Sequence, residues 1–130
     1  MEIKDIFEKY KTIAVYGMSA SPNKAAHNVP AFFHREGFRI IPINPHADEI
    51  LGLKVYRNLI DIPEKIDIVN VFRPSEDAEL VVNEAIERFK KVGDIKVIWL
   101  QEGIFSNEGK KAAIKNGIFF VEDRCMYKEY

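Results

Sequence analysis

Five polar clusters in this chain combine hydroxyls, amides, cations and glycine, the groups that hold phosphate oxygens and amides, and each follows a short apolar run. The runs are Thr12 to Tyr16, Phe38 to Ile43, Ile66 to Val71, Ile95 to Leu100 and Ile118 to Val121. Behind them stand G-M-S-A-S-P-N-K, N-P-H-A-D, F-R-P, Q-E-G and E-D-R-C. If the runs are parallel strands, all five clusters fall along one edge of one sheet, where open α/β sheets take their ligands.

The first cluster has one glycine where a dinucleotide fingerprint has three. Gly17 permits a sharp turn, Ser19, Ser21 and the loop N–H groups can donate to phosphate oxygens near a helix start, and Lys24 adds a cation. An ordinary loop whose serines cap the helix reads the same way. After the second run, the acid that would accept ribose hydroxyls is replaced by Asn44-Pro45-His46. That weighs against NAD, leaves NADP open and suits a phosphorylated ribose, with His46 either meeting a phosphate or simply solvated.

Phe72 and Arg73 stand just before a helix start, so Arg73 is either an anion partner or a solvated cation. Gln101 and Gly103 offer an amide and an unobstructed backbone, against which a polyamide chain can lie; Glu102 is expected to face water. Arg124 beside Cys125 would favour a thiolate. The plainer reading has an Asp123–Arg124 pair bracing the chain as it leaves the sheet and Cys125 filling a small buried space. Met18 either packs or touches ligand, and Trp99 is expected in the core. His27 and His34 have no partner at metal-ligand spacing, so no metal is expected.

The elements that must position these groups follow from periodicity. The first ten residues read as a charged amphipathic helix. Val29, Phe32 and Phe33 predict a helix over Asn28 to Glu36, with Asn28 as cap, Pro30 in the first turn and Gly37 beyond the end. Pro42 is poorly placed for a central strand. Asp48 to Pro63 is a long connection with a short extended piece around Lys54 to Tyr56. Pro74 and Ser75 open the best helix, in which Ala78, Val82, Ala85, Ile86 and Phe89 form the apolar face while Glu79, Glu84, Glu87 and Lys90 face water. A last helix runs from Ser106 to Asn116. Strands alternating with helices predict a doubly wound parallel sheet of about five strands.

Composition sets the limits. With 130 residues the chain is one domain in size, and its net charge of -1, with acids and bases interspersed, argues against nucleic-acid binding or an anionic membrane surface. No apolar stretch approaches spanning length and no leader is evident, so a cytoplasmic location is expected. The single cysteine excludes an internal disulfide framework and a zinc site built on paired cysteines.

Together these residues closely resemble the small, stand-alone CoA-binding domain proteins, relatives of the amino-terminal domain of the succinyl-CoA synthetase α subunit. The resemblance runs through I-A-V-Y-G-M-S-A-S-P-N-K, G-F-R-I-I-P-I-N-P, G-L-K-V-Y-R-N-L, D-I-V-N-V-F-R-P, V-I-W-L-Q-E-G and V-E-D-R-C-M, covering essentially the whole chain. It implies a Rossmann-like fold over residues 1–130 holding coenzyme A (CoA) across the strand ends. The implied contacts are Gly17, Met18, Ser19, Ala20, Ser21 and Lys24, then Asn44, Pro45 and His46, and finally Phe72, Arg73, Gln101 and Gly103. His46 and Ala47 depart from the pattern, standing where the synthetases carry a lysine-containing, glycine-rich segment.

The synthetases also use a phosphohistidine on a second domain and an ATP-grasp partner, for which this chain has no room. The expectation is therefore a CoA or acyl-CoA binding protein, non-catalytic or regulatory, with a homo-oligomer or a protein partner open. Two alternatives stand beside it: a redox module in which Cys125 forms a mixed disulfide with CoA, and a subunit that completes an acyl-CoA synthetase in trans.

Overall fold

Helix α1 (Ile3–Lys9) opens a computed structural model that describes residues Met1–Tyr130. A capping box fixes its start, with Glu2 N–H donating to Asp5 Oδ2 at 2.9 Å, and it buries Ile6 and Phe7. There follow β1 (Thr12–Tyr16), α2 (Ala25–Arg35), β2 (Arg39–Ile43), a hairpin of β3 (Glu49–Ile50) and β4 (Leu53–Lys54), and β5 (Ile68–Val71). The chain ends with α3 (Ser75–Val92), β6 (Val97–Leu100), α4 (Asn107–Lys115), β7 (Phe119–Val121) and α5 (Met126–Glu129). No helix is long and apolar enough to cross a membrane.

Five strands form one parallel sheet in the order β2-β1-β5-β6-β7, the Rossmann-like α/β architecture that the alternation predicts. One face packs against α1, α2 and α5 through Ile13, Val15, Ile40, Ile68, Val97 and Trp99. The other packs against α3 and α4 through Ala14, Ile41, Val69, Val71, Ile98 and Leu100. Both faces are covered, which is why the strands are apolar at nearly every position. The strand order reverses between β1 and β5, and their carboxyl ends mark the switch point of the sheet.

Several local expectations are corrected. The ladder begins at Ile68 rather than Ile66, because Ile66 N–H donates to the Asp94 carboxylate instead of to a strand. Pro42 is accommodated because β2 is an edge strand. Its carbonyl accepts from Tyr56 N–H on the outer side, so the missing N–H also points away from β1. The predicted connection thus contains a rudimentary sixth parallel strand, with Tyr56 bridged to Ile43.

Helix α2 starts at Ala25, not Asn28, whose Nδ2 instead donates to the Pro22 carbonyl. Pro30 therefore lies inside the helix, beyond the first turn. It has no N–H to give to Ala26, and the freed Ala26 carbonyl accepts Ser19 N–H at 3.1 Å. Glu84 does not face water: it is half-buried, accepting Tyr16 Oη at 3.1 Å and Leu59 N–H at 2.7 Å. Arg88, on the same helix, is buried and donates to the carbonyls of Leu59, Ile62 and Glu64, which secures the connection before β5.

Candidate functional site

At the switch point Gly17 leaves β1 with φ of 93°, and a Cβ there would lie 3.1 Å from Cδ of Arg73 and 3.3 Å from the carbonyl carbon of Phe72. Glycine is favoured on both counts, since the left-handed backbone strains any other residue and a side chain would push against Arg73. Gly17 and Met18 N–H both donate to the Ile43 carbonyl, and Asn44 Nδ2 donates to the Met18 carbonyl at 2.9 Å. Asn44 Oδ1 in turn accepts His46 and Ala47 N–H, an Asx turn that holds the second cluster. The loops after β1 and β2 are thus one cross-braced unit.

Beside that unit, on the α3 face of the sheet, lies a cavity of about 290 Å³. Its apolar surface comes from Tyr16, Ile43, Pro45, Leu80 and Val81, and its polar wall from Asn44, Arg57, Arg73, Asp77 and Glu84. Arg73 is ion-paired with Asp77 at 2.8 Å, and Arg57 with Asp48 at 2.7 Å. Both pairs are partly exposed, so each contributes less than about 1 kcal/mol and yields readily to a stronger anion. The Tyr16 hydroxyl is pushed up to about 12 by burial, and further by the Glu84 carboxylate it donates to, with Arg73 opposing.

Of the residues singled out in the sequence, Gly17, Asn44, Pro45 and Arg73 meet at this cavity. Arg57 was missed, although it follows Tyr56 just as the other clusters follow their strands. Asp77 and Glu84 were missed as well.

The phosphate-loop candidates occupy the other side of the edge. Ser19 is fixed at three points: its N–H on Ala26, its carbonyl on His27 Nδ1 at 2.8 Å, and its Oγ on Ser21 N–H at 3.0 Å. Several loop N–H groups are therefore used internally, while those of Ala20, Asn23, Ala25 and Ala26 have no acceptor in the chain. Lys24, at the N-cap of α2, is exposed and has no ion-pair partner. Met18 is fully buried in the core, so only its backbone borders the site. The His46 side chain is exposed.

Along the edge, Phe72 is half-buried and Gln101 is 5% exposed. Gln101 Oε1 accepts at 3.4 Å from both Asn70 Nδ2 and Met126 N–H, which leaves its Nε2 without a partner in the chain. Gly103 N–H donates to Asp123 Oδ1 at 2.8 Å. Asp123 thus braces the chain as it leaves the sheet, but Arg124 pairs with Glu129 rather than with Asp123. A second hollow of about 370 Å³ lies here, lined by Glu102, Asp123, Arg124, Cys125 and Lys128 among others. Lys128 is held at 3.0 Å by Glu102, a hydrogen bond that raises its pKa. Cys125 is a half-buried free thiol. The edge from β2 to β7 spans four strand spacings, about 19 Å.

Comparison with known proteins agrees with this fold. The chain is 38% identical over 125 residues to the uncharacterized protein YneT of Bacillus subtilis, covering 96% of this chain and 89% of that one. It is 32% identical over 114 residues to acetate-CoA ligase (ADP-forming) II of Archaeoglobus fulgidus, covering 86% of this chain but only 16% of the ligase. A solved structure of a hypothetical protein from Pyrococcus horikoshii OT3 superposes with a TM-score of 0.90 at 34% identity, over 98% of this chain and 86% of the other. The CoA binding domain family model matches residues 11–130, and the chain belongs to that family.

Proposed function

We propose that the chain, residues 1–130 acting as one unit, binds coenzyme A or an acyl-CoA along the carboxyl edge of its sheet. The observation that carries this reading is the pairing of an apolar-floored cavity holding two guanidinium groups with a neighbouring loop whose amide donors are free. The ligand has matching parts: an adenine, a diphosphate, a phosphomonoester on the ribose and a pantetheine chain with two amides. The cavity suits the adenosine end. The free N–H groups of Ala20, Ala25 and Ala26, with Lys24 and the α2 dipole, suit the diphosphate. Gln101 Nε2 is available for a pantetheine amide, and the hollow at Cys125 lies at the far end of the edge. The left-handed Gly17 lets the Arg73 side chain lie close against the backbone between these parts.

A thermal-shift titration tests the reading. CoA is expected to raise the unfolding temperature, and stabilisation by NAD or NADP in the absence of any CoA effect would overturn it.

A second reading, that the chain supplies the CoA site of an acyl-CoA synthetase in trans, draws on the match to an acetate-CoA ligase of which this chain spans 16%. Co-purification with an ATP-grasp protein supports it, and a lone homo-oligomer removes it.

A further inference from the structure

We propose that Arg57 reads the ribose phosphomonoester of the ligand and makes the chain prefer coenzyme A to dephospho-CoA, an inference that rests on the CoA reading above. The cavity has two opposed characters. Its α3 wall carries the carboxylates of Asp77 and Glu84 against the single cation of Arg73, which Asp77 already holds at 2.8 Å, so that wall is net negative toward a dianion. The wall formed by the connection after the hairpin carries Arg57. A base seated on Tyr16, Ile43 and Leu80 would present its ribose at the rim, and the favourable direction for a dianionic substituent is the arginine side.

The geometry of Arg57 fits that task. Nη1 donates to the carbonyls of Asn44 and Ala47, and Nη2 donates to Asp48 Oδ1 at 2.7 Å. The two carbonyls fix the plane of the guanidinium, so its remaining donors are presented in a set direction. Its one anionic partner is 93% exposed and loosely competitive, whereas a phosphate dianion offers charge-assisted, bidentate acceptance. Arg73 is placed for a different duty. It lies against Gly17, just before the start of α3, nearer the middle of the edge where the diphosphate is proposed. His46, although in the adjacent turn, does not line the cavity.

Isothermal titration of CoA and dephospho-CoA against the wild-type chain, Arg57→Gln and Asp48→Asn tests the inference. The wild type is expected to bind CoA about ten- to hundredfold more tightly than dephospho-CoA, the range for a charged hydrogen-bonded group. Arg57→Gln should bring that ratio close to one while leaving dephospho-CoA affinity within about twofold, which damage to the surrounding turn would not do. Asp48→Asn, at a nearly fully exposed position, frees Arg57 from its competitor and should widen the ratio; this arm stands even where the arginine variant fails to fold. A ratio unchanged in Arg57→Gln, or one that does not widen in Asp48→Asn, overturns the role of Arg57 and leaves the CoA reading intact. Absence of binding by either ligand to the wild type overturns both.

Discussion

Arg88 and Asp94 form an ion pair at 2.9 Å in which each side chain is only 2% exposed. The same guanidinium holds three carbonyls of the connection before β5, and the same carboxylate holds Ile66 N–H. Arg88→Leu would strand a buried carboxylate and those carbonyls, and is expected to destabilise the chain by about 3–5 kcal/mol in urea unfolding. A loss below about 1 kcal/mol would show that the pair is not the anchor of that connection.

Gly17→Ala tests the switch point. Its left-handed backbone and the nearby Arg73 side chain combine to disfavour a methyl group, with an expected loss of about 1–3 kcal/mol. Arg73 must also shift, so the CoA-induced rise in unfolding temperature should shrink. A variant as stable as the wild type with an undiminished CoA response would mean that the loop has another conformation open to it.

Tyr16 gives a pH dependence. Its folded pKa of about 12 lies above the ordinary value of 10.0, so between these limits the unfolded chain releases a proton that the native chain keeps. The associated stability is complete below pH 10 and is lost as pH rises through 12. Tyr16→Phe lacks this contribution, and its unfolding free energy should decline less steeply than that of the wild type between pH 10 and 12. Parallel profiles in that window would contradict the assignment.

The β3–β4 hairpin turns through Leu51 at φ 56° and Gly52 at φ 73°, the positive pair of a type I′ turn. Leucine is strained there and is 38% exposed, so it gives up little burial on replacement. Leu51→Asn is expected to stabilise the chain by about 0.5–1 kcal/mol, a rise of a few degrees in thermal unfolding. An unchanged or lower midpoint would indicate that the leucine packs more than its exposure implies.

The parts of this fold that could be read from sequence are those in which one residue's environment repeats along an element. Ile13 to Val15 and Val97 to Leu100 are buried on both faces, so their uninterrupted apolarity marks them as central strands. Gly17, Asn44 and Arg73 were found because each ends such a strand. Glu84 was assigned to water because its place on the helix does not reveal Tyr16, 68 residues earlier, which turns it inward. Arg57 was overlooked because a single bridge at Tyr56 is too short to impose any alternation. Asp94 shortened a strand through one carboxylate-to-amide hydrogen bond that no periodicity records.

Pro30 sets robustness against recognition. Any other residue there would return an N–H to the helix and compete with Ser19 for the Ala26 carbonyl. Repairing the helix would strengthen α2 by a large margin on propensity alone. It would also weaken one of the three ties that hold Ser19 in the loop bordering the switch point. An engineer seeking a hardier scaffold and one seeking a tighter binder would therefore make opposite choices at residue 30.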